Sequence, residues 1–225
     1  SRAMTPAEIP WHPLLLSLKV ASVATVLALA LGLGLALLLT RKRFRGAALL
    51  EALFMLPLVL PPTVIGFALL HVLGRNGWVG GPLLRWFDIS LIFTWPGAVI
   101  AATVVALPLV LKASITALEG VDGQLVAAAR TLGQPEADIL IRIVLPLAWP
   151  GILAGCLLAF ARAMGEFGAS LMVAGSIPGV TQTASMAIYD AVQAGDDTTA
   201  GILVLATSAL TITILLTANR LKPHL

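Results

Sequence analysis

Long apolar stretches almost free of charge limit what this chain can fold into. A helix needs about 20 apolar residues to cross a bilayer. Five stretches qualify: residues 14–40, 52–73, 89–111, 147–173 and 198–219. Only 11% of the residues are charged and the mean hydropathy is +0.99, whereas soluble domains carry roughly 25% charged residues. Most of the apolar surface must therefore face lipid or other membrane helices. The expectation is an all-α integral membrane protein of about five transmembrane helices. Residues 167–189 overlap the fourth stretch, and their second half holds Gly175, Pro178, Gly179 and several hydroxyl residues. That half reads as a loop and then a short helix over Ala184–Gln193, lying at the membrane surface or dipping into it. A sixth span is the alternative. All 225 residues read as one transmembrane domain.

Lys and Arg in short loops mark the cytoplasmic side. Arg41, Lys42, Arg43 and Arg45 follow the first stretch, the third loop carries Lys112, Arg130 and Arg142, and the C-terminal end carries Arg220 and Lys222. The other side has Arg2, Arg75 and Arg85. Five spans then put the N-terminus outside and the C-terminus in the cytoplasm. Trp78, Trp86 and Trp95 fall at the expected outer interface, with Trp11 at the outer start of the first span, where amphipathic rings settle. Lys19 is expected to snorkel to that interface. The first apolar run is too long for a cleaved signal peptide. Met4 is one candidate native start, with Ser1-Arg2-Ala3 ahead of it.

The second stretch contains Pro57, Pro61 and Pro62. Each proline removes a backbone donor, so the helix must kink or break there. In a membrane the freed carbonyls need protein or water as partners. A bend beside a translocation path is favoured over a packing kink. Pro108 in the third stretch is a weaker version of this signal.

One polar interlude, residues 119–146, interrupts the apolar pattern. Asp122 is a good N-cap for a helix over residues 124–132. Gly133 suits a left-handed residue that ends it. Pro135 suits the first position of a second helix, with Glu136 and Asp138 in its first turn. That helix should run to Val144, with Pro146 marking re-entry into the membrane. Ala127, Ala128 and Ala129 would let a partner surface approach closely.

Arg162 and Glu166 are four residues apart, which puts them on one face of a helix. Charges at membrane depth normally face the bundle interior or a wet cavity. Counting from Leu147, Arg162 should lie roughly 22 Å from the inner edge at about 1.5 Å per residue. A structural ion pair and a gate or anion-path element are both open for Glu166; Arg162 leans to the structural role.

The remaining motifs exclude more than they propose. No G-x-x-x-x-G-K-[ST] occurs, so the chain carries no P-loop of its own. A single cysteine, Cys156, excludes an internal disulfide and reads as a buried or lipid-facing apolar residue. His12, His71 and His224 are scattered and give no metal-ligand spacing. The net charge of +3 comes without a basic stripe, which argues against nucleic-acid binding. No catalytic constellation is visible, so no enzyme is expected.

Ala127-Ala128-Ala129, three residues, Gly133, nine residues, then Ile143-Val144-Leu145-Pro146 resembles the EAA loop of ABC importer permeases. The first position of that pattern is usually Glu; here it is Ala127. The chain looks like a type I importer permease (MetI-like fold) over nearly its whole length, and within that group like the molybdate permeases of ModB type. Carrying this are Leu56-Pro57-Leu58-Val59-Leu60-Pro61-Pro62, Glu119-Gly120-Val121-Asp122, Ala128-Ala129-Arg130-Thr131-Leu132-Gly133 and Ala161-Arg162-Ala163-Met164-Gly165-Glu166-Phe167-Gly168-Ala169. The outer Ile177-Pro178-Gly179 with Thr181 and Thr183 adds to it.

The resemblance implies an ATPase-coupling loop made of Ala127, Ala128, Ala129, Arg130, Gly133, Glu136, Ile143, Leu145 and Pro146. Pathway or gate candidates are Pro57, Pro61, Pro62, Arg162 and Glu166. It also implies a homodimer in the bacterial inner membrane, two ABC ATPase subunits, and a periplasmic or lipid-anchored oxyanion-binding protein. No cofactor is expected on this chain; ATP and Mg would sit on the ATPase. The substrate expected is molybdate, with tungstate and sulfate or thiosulfate as alternatives. A secondary transporter would need an ion site and usually internal repeats. A membrane scaffold would leave the polar interlude unexplained.

Overall fold

A computed structural model describes residues 11–41 and 46–220. The described residues are almost entirely helical: α1 Trp11–Arg41, α2 Ala47–Val59, α3 Pro62–Leu73, α4 Gly80–Phe87, α5 Trp95–Glu119, α6 Gly123–Thr131, α7 Glu136–Ile139, a π-helical turn Leu140–Val144, α8 Leu145–Met164, α9 Gly168–Ala174, α10 Ala184–Gln193 and α11 Asp197–Arg220. Four helical stretches are long and apolar enough to cross a membrane, and the bent pair α2–α3 makes a fifth if it counts as one span. The short helix expected over Ala184–Gln193 is present with those bounds. Lys42, Arg43, Arg45, Lys222, His224, Arg2 and the candidate start Met4 lie outside the described residues.

The centre is the α1–α5–α8 seam, and small residues make it. Ala21, Ala24, Ala28 and Ala36 of α1 are fully buried, as are Ala98, Ala102 and Ala106 of α5. A Cβ on Gly32 would meet Val110 Cγ1 at 3.1 Å, and one on Gly155 of α8 would meet Ala113 Cβ at 2.4 Å. One on Gly151 would meet Ala117 Cβ at 2.7 Å. Gly151 and Gly155 form a G-x-x-x-G face against Ala113 and Ala117. Lipid offers no hydrophobic drive between helices, so close backbone approach and dispersion hold such a seam. Cys156 is buried in the same cluster.

One span breaks where its prolines predict, and two differ from the sequence expectation. The stretch 52–73 is two helices meeting at 115°. Pro61 is the N-cap of α3 and Pro62 its first residue, so the break falls at the proline pair, where donors are missing. Pro57 stays inside α2. The third span starts at Trp95, not residue 89, and runs to Glu119. Thr94 caps it, accepting from Gly97 N at 3.3 Å, and Pro96 sits in its first turn. Lys112 is therefore within this helix, outside the polar interlude, and pairs with Glu51 of α2 at 2.9 Å. The fourth span ends at Met164. A turn over residues 165–167 follows, and α9 is a separate short helix packed on α3 and α5.

The end of the molecule opposite the polar interlude is tied by specific bonds. Ser17 Oγ of α1 accepts from Ala184 N at the start of α10 at 2.8 Å. Phe93 N donates to Val173 O at 3.0 Å. Thr181 Oγ1 donates to Gly175 O and accepts from Ile177 N, both at 3.1 Å, so Thr181 staples its own loop. Lys19 Nζ lies 3.7 Å from the centroid of the Trp95 ring, a cation–π contact between α1 and α5.

Candidate coupling foot and intramembrane turn

The polar interlude folds as a helix, a corner and a second helix. Asp122 caps α6 by accepting from Gln124 N at 2.8 Å. Gly133 takes φ +75°. Gly133 N donates to Arg130 O at 3.0 Å and Gln134 N to Ala129 O at 3.1 Å. Those two bonds form a Schellman motif, which satisfies the last carbonyls of α6. Arg130 then reaches over the corner: its Nε and Nη2 donate to the two carboxylate oxygens of Glu136 at 2.6 and 3.1 Å. The hydrogen bond, and after it the carboxylate charge, push the Arg130 guanidinium above its ordinary value.

The foot presents Ala127, Ala128, Arg130, Gly133 and Glu136 to the outside, whereas Ala129 is buried. Leu132 is 80% exposed beside the corner. Leu132 is absent from the expected coupling residues, although an apolar residue just before a helix-ending glycine is the signal that could have flagged it. Ile143 and Leu145 are half-buried and Pro146 is exposed.

The second foot helix does not stop at Val144, nor does Pro146 break it. Residues Glu136–Met164 form one helical rod. Leu145 N donates to Leu140 O, five residues back. The widened turn just ahead of Pro146 makes room where its ring would otherwise crowd the carbonyl four residues earlier. The foot is therefore fused to α8 with no flexible joint.

At the far end of that rod lies Glu166. It is not within a continuous fourth helix but in the turn after it, and it still meets Arg162: Nη1 and Oε2 are 2.8 Å apart. Glu166 is 3% exposed, and Arg162's side chain is 33% exposed. Oε1 accepts from Ala169 N at 2.9 Å, capping α9. Oε2 is buried with the ion contact but no aligned hydrogen bond among the described residues. The second partner of Glu166 is thus the α9 backbone. The turn also meets the proline break: a Cβ on Gly168 would lie 2.8 Å from Pro62 Cβ, and one on Gly66 would lie 2.8 Å from Met172 Cβ. Pro62 and Glu166 are brought to one place; Pro57 is a turn further back in α2. Among the described residues no group of three His, Cys, Asp or Glu could hold a metal.

Comparison with known proteins identifies the class. The family of binding-protein-dependent transport system inner membrane components matches residues 28–225, and the chain belongs to that family. Within it, the chain is 44% identical over 207 residues to the molybdenum transport system permease protein ModB of Escherichia coli (strain K12), covering 92% of this chain and 90% of that one. It is 42% identical over 226 residues to the putative molybdenum transport system permease protein YvgM of Bacillus subtilis (strain 168), covering 99% and 100%. Among solved structures it is similar to the MetNI methionine ABC transporter in inward-facing conformations, with a TM-score of 0.74 at 17% identity, over 96% of this chain and 97% of that one. It is also similar to a bacterial ABC transporter that imports the acidic polysaccharide alginate, with a TM-score of 0.79 at 14% identity, over 96% and 79%. The fold is that of a type I ABC importer permease. The chain is a multi-pass inner-membrane permease component, not an enzyme.

Proposed function

We propose that this chain is the permease subunit of an ATP-driven importer for molybdate. The observation that carries the coupling half is the unbroken rod Glu136–Met164. It joins an exposed, braced foot to the buried Glu166 turn, so a displacement of the foot moves the turn as one body. The substrate half rests on the molybdenum permeases that resemble the chain over nine-tenths or more of its length. In this reading two copies form the pathway, with the N-terminus outside and the C-terminus in the cytoplasm. Two ABC ATPases, which hold ATP and Mg, grip the feet at Ala127, Ala128, Leu132 and Gly133. A periplasmic or lipid-anchored oxyanion-binding protein delivers substrate at the opposite end.

Uptake of labelled molybdate into membrane vesicles tests this reading. Vesicles holding the chain, its ATPase and the binding protein should accumulate label only with ATP. A tenfold excess of sulfate should leave uptake nearly unchanged. Uptake driven by an ion gradient without ATP, or sulfate uptake in preference to molybdate, would contradict it.

A further inference from the structure

The turn between α3 and α4 holds a cleft that the importer reading does not use. Residues 88–94 lead from α4 into the start of α5, so this turn lies at the end of the molecule opposite the foot. The cleft has a volume of about 320 Å³ and is lined by Leu70, His71, Gly74, Arg75, Asn76 and Gly77. Two backbone bonds set its shape: Gly77 N donates to Gly74 O at 2.9 Å, and Val79 N to Val72 O at 3.1 Å. Gly80 lets α4 close over the end of α3, since a Cβ there would lie 1.9 Å from Leu73 O.

Polar side chains line this cleft with donors to spare. Arg75 is exposed and makes no ion pair among the described residues. The Asn76 amide is exposed as well and has no hydrogen-bond partner among them. His71 Nδ1 lies 3.0 Å from Phe67 O; a carbonyl only accepts, so Nδ1 carries the proton and Nε2 is left unspent. No carboxylate lines the cleft. A guanidinium is a planar fork that matches phosphate oxygens two at a time.

The surroundings say which anion. Trp78, next to the last cleft residue, is 91% exposed, and Trp86 is 79% exposed. Phe87 and Ile89 are exposed beside them. Arg85 of α4 is exposed too, with no ion pair among the described residues. Gly80 and Gly81 of the same helix are buried. Contiguous exposed rings mark a contact surface, and indoles settle in the headgroup layer of a bilayer. A short helix with aromatic and basic residues exposed and its other side packed on protein is a form that lies in that layer. The flanking α3 and α5 belong to spans, so the turn joining them emerges at the bilayer boundary.

We propose that the α3–α4 turn is a binding site for a phospholipid headgroup. The Arg75 guanidinium and the Asn76 amide donate to the phosphate oxygens, and the Trp78 and Trp86 rings sit among the headgroups beside it. A lipid phosphate is held by the bilayer at the depth where the cleft opens, and the rings contribute to its capture; a free oxyanion would gain nothing from them. In the orientation proposed above this is the outer leaflet. The site itself does not depend on that orientation or on the importer reading.

Native mass spectrometry of the full chain released from nanodiscs of phosphatidylglycerol tests the site. The wild type should retain one more phospholipid per chain than Arg75→Gln combined with Asn76→Ala. Arg75→Lys, which keeps the charge, should retain most of that difference. Both side chains are exposed and unpaired within the described residues, so the double variant should melt with the wild type in lipid-free detergent. Equal lipid retention by wild type and double variant would overturn the site. Displacement of the lipid by excess inorganic phosphate or molybdate would also overturn it, in favour of a free-oxyanion site. A double variant that keeps its lipid but loses affinity for the binding protein would make the turn a protein-docking surface instead.

Discussion

Arg130 and Glu136 clamp the corner of the foot from either side of Gly133, with two parallel N–H···O bonds at 2.6 and 3.1 Å. Both side chains are more than half exposed, so the pair adds little to overall stability in water. Its effect is geometric: it fixes the angle at which α6 meets the rod that begins at Glu136.

Removing the clamp should therefore affect coupling more than folding. Glu136→Gln should leave the thermal unfolding midpoint within about 2 °C of wild type, since exposed pairs contribute little. It should reduce transport per ATP several-fold at low salt, and the gap to wild type should narrow at high salt, where the wild-type pair is itself screened. Comparing stoichiometry and melting temperature on one preparation checks both halves.

Gly133 gives a cleaner separation, because a Cβ there would meet nothing within 4 Å. Any penalty comes from the backbone at φ +75°. Gly133→Val should cost about 1–2 kcal/mol locally and uncouple hydrolysis from transport while membrane insertion is spared. Gly133→Asn should be nearly silent, since Asn tolerates the left-handed region. Equal defects in the two variants would mean that side-chain bulk at the ATPase contact matters instead.

The α5–α8 seam is tested by size alone. Gly155→Ala puts a Cβ 2.4 Å from Ala113 Cβ and should destabilise by roughly 1–3 kcal/mol through overpacking. Gly123→Ala, with open space around it in α6, should be neutral or slightly stabilising. Denaturation midpoints in one detergent provide the comparison.

Glu166 ties the rod to α9. Glu166→Ala leaves Arg162 without its ion contact and the start of α9 without its cap. The loss should be roughly 3 kcal/mol, at the low end for a buried pair because Arg162 is partly exposed. Glu166→Gln keeps an acceptor for Ala169 N and should recover about 1 kcal/mol of that. If both variants lose the same stability, the charge contact alone matters and the cap does not.

The foot is the most legible part of the sequence, because Asp122 and Gly133 are local signals whose physics does not depend on the rest of the fold; Pro135 marks the second helix too, one residue off, as its N-cap instead of its first residue. The bounds of α10 were equally readable from its flanking polar residues. The continuity through Pro146 was not: a proline ordinarily argues for a break, and only the compensating π-helical turn removes that argument. The four-residue spacing of Glu166 from Arg162 predicts a shared helix face, yet a turn that closes after Met164 brings the two together just as well, so the spacing encodes the contact but not the element. Thr94 and Pro96 did carry a helix-start signal, overridden by the apolar run ahead of them. The meeting of Gly168 with Pro62 joins residues more than a hundred positions apart, and no local pattern encodes it.

ATP hydrolysis by the partner ATPase, in proteoliposomes that hold it together with this chain and with binding protein added outside, tests the central claim most directly. The account predicts that molybdate-loaded binding protein raises hydrolysis several-fold, that sulfate-loaded or empty protein does not, and that Gly133→Val abolishes the rise without dissociating the complex. Failure of the chain to form a stable complex with the ATPase would contradict the account, as would hydrolysis indifferent to the loaded protein.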